Sequence, residues 1–192
     1  MDTISISKKF EQIGARVQLR PAINNIYRRE LPGIDIRTDH KGEYFDIRLS
    51  ANAQVDYEVV DVRPEMRHLL LMARRTWTKD KFLCGHDERH WFVCAVPGDS
   101  VSTVVNAMEA LQPHEVKSAI NRRVKRVKDR LRRRNKAFVR QGEWFFVRIE
   151  SLIVNPKLIL KNEPLSRGGG SKSHMCQYLY RRDGESVWAF LD

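Results

Sequence analysis

The 192-residue sequence has few cysteines, no long apolar run and no internal repeat, and each shortage excludes a class of protein. Three cysteines are an odd number, which argues against a secreted disulfide scaffold and for a reducing, cytoplasmic setting. No charged-then-apolar leader with a small-residue cleavage site is recognisable. The longest apolar stretches, Leu69 to Ala73 and Trp91 to Val96, fall far short of the roughly 20 residues that cross a bilayer. No membrane span is expected. Low complexity is confined to Ser166–Ser173, SRGGGSKS, which reads as a flexible loop. The P-loop spacing is missing, as are zinc-finger, RNA-recognition and helix-turn-helix patterns.

What the sequence does have is positive charge, and it is concentrated. Lysine plus arginine total 35 against 24 acids, a formal net charge of +11. Between Lys117 and Arg140 stand twelve cations and a single acid, Asp129. The rest of the chain carries equal numbers of each sign, so this segment holds the whole excess. Such an excess speaks of anionic partners rather than of a fold.

Hydrophobic periodicity predicts an α+β protein: mainly antiparallel β-sheet with two central helices, the second long and strongly basic. Three stretches organise it, a β-rich part over 1–98, a helical basic segment over 99–140 and a β-rich part over 141–192, and together they can form one compact domain. A short helix is expected around Ser7–Ala15. Ile34 to Leu49 alternates on both sides of His40-Lys41-Gly42-Glu43, a hairpin signature. Tyr57–Val62 reads as strand, and the apolar run Met66–Met72, whose period is undeclared, is assigned to strand as well. After the turn at Pro97-Gly98-Asp99-Ser100, helices are expected over about Val101–Leu111 and from Pro113 to about Phe138. The last strands are EWFFVRI, KLILKN and the two arms of MCQYLYRRDGESVWAFL, hinged at Asp183-Gly184.

On a helical wheel of 100° steps, Val116, Ile120, Val124, Val127, Leu131 and Phe138 share an arc of about 80°. Arg122, Lys125, Arg126, Lys128, Arg132, Arg133 and Lys136 share about 160° on the opposite side. Ordinary solvated faces mix signs. Here the i,i+4 pairs Arg122/Arg126, Lys128/Arg132 and Arg132/Lys136 repel, at a few tenths of a kcal/mol each, unless an anion neutralises them. Nucleic acid, RNA or DNA, is the expected partner, because a row of cations can follow phosphates without reading sequence. The charge also permits an acidic protein partner or a homo-oligomer. A membrane surface is disfavoured, since the apolar stripe lacks tryptophan.

The segment Cys84–Cys94, CGHDERHWFVC, holds two cysteines and two histidines. Strand-like flanks around His86-Asp87-Glu88-Arg89 predict a hairpin that pairs Gly85 with His90, Cys84 with Trp91 and Leu83 with Phe92. In that register Cys94 lies opposite Lys81 and on the other face from Cys84, which argues against the four residues sharing one zinc ion. Neither a metal nor a cofactor is expected, and a role for the His86/Glu88/His90 tip stays open. Trp144, Phe145 and Phe146 suit a core or, on one strand face, base stacking.

The stretch NEPLSRGGGSKSH gathers Glu163, Arg167, Lys172 and His174 around three glycines. Backbone N–H groups with Arg167 and Lys172 can hold a phosphate, and Glu163 with His174 can act as acid and base in metal-independent phosphodiester cleavage. The leading expectation is nucleic-acid binding without catalysis. A nuclease built on Glu163 and His174 is the alternative, and a basic assembly protein with an acidic partner is the third.

Overall fold

Residues 68–74, HLLLMAR, show no polar alternation, and the structure buries all but the last of them. A strand that is apolar on both faces needs cover on both. The chain supplies it from two directions. The computed structural model describes residues 3–23, 31–49, 55–87, 89–98, 100–126, 129–141, 144–165, 173–182 and 186–190. In chain order its elements are α1 (Thr3–Gln12), β1 (Val17–Pro21), β2 (Gly33–Asp39), β3 (Gly42–Leu49), β4 (Asp56–Arg63), β5 (His68–Arg74), β6 (Lys79–Asp87), β7 (His90–Val96), α2 (Val104–Ala110), α3 (His114–Arg123), β8 (Phe138–Gln141), β9 (Trp144–Val147), β10 (Ile159–Leu165), β11 (His174–Arg182) and β12 (Ser186–Phe190). Short 3-10 turns stand at Pro64–Met66 and Pro156–Leu158. The chain divides into two compact units, 1–145 and 146–192.

In the first unit β4-β5-β6-β7 form an antiparallel sheet, while β3 lies between a parallel β1 and an antiparallel β2. One core joins these two sheets and α1: Phe10, Phe45, Ile47, Tyr57, Leu69, Leu71 and Cys84 are buried together. The other face of the four-stranded sheet meets α2, through Leu70, Leu83, Val96, Val104, Ala107 and Met108. The odd–even split of Leu69 and Leu71 from Leu70 is the two-residue strand period, so both halves of the run are used. A register shift in β4 between Val59 and Asp61 moves Asp61 opposite Leu70, on the α2 side. From there its Oδ2 accepts the Val104 N–H at 2.8 Å, while Thr103 Oγ1 accepts from the Asn106 N–H at 3.1 Å. Two of α2's orphan N–H groups are thus capped, one locally and one from the sheet.

The β6–β7 hairpin differs in register from the sequence expectation. Gly85 pairs with Phe92, His86 with Trp91 and Asp87 with His90, so the pairing runs on through His86 and Asp87, while Glu88 lies outside the described residues. The shift is two positions and therefore leaves the faces unchanged. Cys84 faces Val93 and is buried, whereas Cys94 faces Leu83 on the opposite face. His86 stays in the strand because its ring packs edge-on against Trp91, 4.8 Å between centroids. At Gly85 a Cβ would stand 2.6 Å from His68 Cδ2 and 2.7 Å from Phe92 Cζ. Gly85→Ala is expected to cost about 1–3 kcal/mol by overpacking, read as a lower urea midpoint; an unchanged midpoint would show that His68 and Phe92 can move apart.

The long basic helix expected to reach Phe138 does not form, and the correction reshapes the site. The helix α3 stops at Arg123, and Val124 is already extended at φ −114°, ψ 101°. Arg122 and Arg123 close the last turn, where the helix dipole favours cations. One more turn would set Arg126 over Arg122 at i,i+4, and Val124 is β-branched. Extended backbone instead buries the Val124 side chain. The fold is accordingly mostly β, with four sheets and three α-helices among the described residues.

The second unit is an antiparallel meander, β10-β11-β12. Leu165, Cys176, Leu179 and Tyr180 are the buried side chains among its described residues. The hairpin dipeptide Asp183-Gly184 lies outside the described residues, between the paired Arg182 and Ser186. No described helix is long and apolar enough to cross a membrane.

Candidate nucleic-acid interface

Beyond α3 the basic segment is organised by one asparagine. Asn135 Oδ1 accepts the N–H groups of Ala137 at 2.8 Å and Phe138 at 3.1 Å, and its Nδ2 donates to the Asp129 carbonyl at 3.1 Å. Its own N–H donates to the Phe138 carbonyl, and Arg134 bridges to Val139. A turn-forming side chain thus takes over the backbone pairing that a helix would have supplied. The consequence is an alternation. Arg132, Arg134 and Lys136 are exposed, while Arg133 and Asn135 between them are partly covered.

The exposed cations converge with those at the end of α3 on an open concavity of about 560 Å³. Arg123, Lys125, Arg126, Arg132, Arg134 and Lys136 line it, and Asp129 is the single carboxylate among the lining residues. Asp129 pairs with Arg132 at 3.2 Å. Even so, cations outnumber acids six to one in one hollow, an arrangement whose self-repulsion an anion relieves.

Of the cations expected to bind nucleic acid, the structure brings Lys125, Arg126, Arg132 and Lys136 together in this hollow. Arg122 is exposed on the last turn of α3. Lys128, Arg167 and Lys172 lie outside the described residues. Arg133 turns the other way: its Nη1 meets Asp87 Oδ1 at 2.8 Å and its Nη2 donates to the His86 carbonyl at 2.5 Å. Arg123, Arg134 and Asn135 were missed. A wheel of 100° steps puts Arg134 at the edge of the apolar arc and Arg123 about 20° beyond it, away from the cationic arc, so the helix assumption itself hid them.

Beneath the segment lies a buried polar cluster. Arg140, 8% exposed, stacks over the Phe92 ring at 5.6 Å, and its backbone N–H bonds the Arg133 carbonyl at 2.6 Å. Burial lowers its pKa. Together Asp87, Arg133 and Arg140 fasten the basic segment to the β6–β7 hairpin. His68 lies alongside; its Nδ1–H donates to the Met66 carbonyl, and its buried Nε2 has no hydrogen-bond partner among the described residues. Burial holds its pKa down at about 4, with Arg140 and Arg133 pushing the same way.

An imidazole that is neutral when folded but protonates near pH 6.5 when unfolded makes the unfolded chain bind more protons between those values. Its contribution to stability is complete above about pH 6.5 and is lost as pH falls toward 4. Replacing His68 by glutamine is expected to flatten the stability–pH curve in that window, as followed by urea unfolding at several pH values. An unaltered slope would assign the acid sensitivity to other groups.

At the hairpin tip His90 Nδ1 lies 2.9 Å from Glu43 Oε1, and the Trp91 N–H donates to Glu43 Oε2 at 2.8 Å. Arg67 sits over Trp91 at 4.8 Å, and burial followed by the charge of Arg67 lowers the pKa of His86. Among the described residues no three His, Cys, Asp or Glu side chains gather as a metal site. In the second unit Glu163 is half-buried opposite Cys176, and His174 pairs with Leu165 two positions along the ladder. Trp144, Phe145 and Phe146 are all half-buried, with Phe145 against Phe138 at 5.4 Å.

Comparison with protein-family models, curated proteins and solved structures finds no match to this chain.

Proposed function

We propose that this protein binds nucleic acid, RNA or DNA, by receiving backbone phosphates in the basic hollow at the end of α3. One observation carries the reading: among the described residues, six lysine and arginine side chains and one carboxylate line the same concavity. Cations so placed neutralise phosphates and release counterions, which gives affinity without sequence readout. Arg133 and Arg140 act behind them as the anchor that keeps the segment on the sheet. An odd number of cysteines suits a reducing, cytoplasmic setting.

The test is binding of the purified protein to labelled single- and double-stranded RNA and DNA across a salt series, with each sample then run on a denaturing gel. Salt-sensitive binding with intact strands is expected. Shortened strands would instead support cleavage by Glu163 and His174, which the β10–β11 register sets two positions apart, with Arg167 and Lys172 as phosphate ligands. Absence of binding at every salt concentration would overturn the reading in favour of an acidic protein partner.

A further inference from the structure

Large aromatic side chains on a sheet are ordinarily spent on a core. Two in the second unit are not. Tyr178 is 40% exposed and Phe190 is 55% exposed, and they are direct cross-strand partners on β11 and β12. Their rings meet edge-to-face, 6.0 Å between centroids. On the other side of Tyr178 its cross-strand partner on β10 is Lys161, also exposed. Directly opposite residues share a face, so Lys161, Tyr178 and Phe190 form one row across three strands. The next row pairs Tyr180, which is buried, with the half-buried Trp188, and the Arg182 guanidinium lies over the Trp188 ring at 5.4 Å. Glu163, half-buried opposite Cys176, is the one described acid on this face.

We infer that this row is a stacking platform for the bases of a single-stranded nucleic acid, with Lys161 in the row and Arg182 beyond the Tyr180–Trp188 row for the phosphates. Unpaired bases present π-faces that exposed rings on a rigid sheet can hold, whatever the sequence, whereas a duplex keeps its bases inside the stack. A purely electrostatic partner would have no use for two solvent-exposed rings. The inference rests on the nucleic-acid reading above and adds the class of substrate: single strands over duplexes.

The test compares wild type with the double variant Tyr178→Leu/Phe190→Leu and the aromatic swap Tyr178→Phe/Phe190→Tyr. The probes are labelled oligothymidylate, oligouridylate, a mixed-sequence duplex and heparin. Loss of stacking is expected to weaken homopolymer binding by roughly 5- to 150-fold per stacked base. Duplex and heparin binding should stay within about twofold and the salt slope should be unchanged, since no cation is removed. The aromatic swap should bind as wild type. Homopolymer affinity that survives in the leucine variant, while glutamines at Arg132, Arg134 and Lys136 abolish it, would overturn the platform and leave the basic hollow standing. Wild type that binds no nucleic acid would overturn both. If circular dichroism shows the double variant unfolded, Phe190→Leu alone, at the more exposed ring, decides by the same criteria.

Discussion

Replacing Arg132, Arg134 and Lys136 together by glutamine is expected to weaken nucleic-acid binding on the order of a hundredfold at about 0.1 M salt, with little change in stability. The magnitude follows from counterion release. Each neutralised phosphate contributes a slope of roughly 0.7 to 0.9 in the logarithm of affinity against that of salt, which over the decade from 1 M to 0.1 M amounts to nearly a tenfold gain per contact. Three lost contacts should therefore also flatten the salt slope by about two to three. Stability should hold because these three side chains are exposed and the Arg132–Asp129 pair is at the surface, where such pairs contribute about 0–1 kcal/mol. An unchanged slope would remove the hollow from the account.

The second large effect concerns the anchor. Asp87→Ala is expected to destabilise the protein by about 2–4 kcal/mol, because it removes the carboxylate beside two covered guanidiniums, Arg133 and Arg140. The estimate sits slightly below the range for a fully buried pair because the Arg133 side chain remains 33% exposed. Urea unfolding measures it. Removing the charge on both sides, in Asp87→Ala/Arg133→Met, should recover part of the loss, since the penalty lies mostly in the stranded cation. A double variant no more stable than Asp87→Ala would mean that the lost Asp87 contacts, rather than stranded charge, set the cost.

These two predictions separate residues that look alike in the sequence. Arg132 and Arg133 are neighbours on one basic run, yet one faces the hollow and the other faces Asp87. No periodicity in the chain announces that difference. The apolar stripe from Val116 to Phe138 fits a helix well, and the helix does form as far as Arg123. Beyond it the decision belongs to tertiary partners: the carboxylate of Asp87, some 46 residues upstream of Arg133, the ring of Phe92 under Arg140, and the turn chemistry of Asn135. Each is distant in sequence or depends on one side chain, so local propensity could not weigh it. Strands were more legible. The hairpin from Ile34 to Leu49 matches β2 and β3, and the strand assigned over Met66–Met72 matches β5 from His68 onward, Met66 instead closing the 3-10 turn, because alternation and buried apolar runs are local signals. The β6–β7 turn was misplaced by the assumption that His86 and Asp87 must be loop residues, when a tryptophan ring and an arginine give both of them places in a strand. The aromatic row was missed for a related reason. The rings of Trp144–Phe146 are consecutive in the chain, whereas Tyr178 and Phe190 become neighbours only through strand pairing.

The most direct measurement of the central claim is a chemical footprint. Arginine- and lysine-directed reagents, applied with and without saturating single-stranded nucleic acid and mapped by mass spectrometry, report which cations the partner covers. The account predicts protection at Lys125, Arg126, Arg132, Arg134 and Lys136, with Arg74 and Arg75, about half exposed on the β5–β6 connection, still reactive. Uniform protection, or protection that spares residues 125–136, would contradict it.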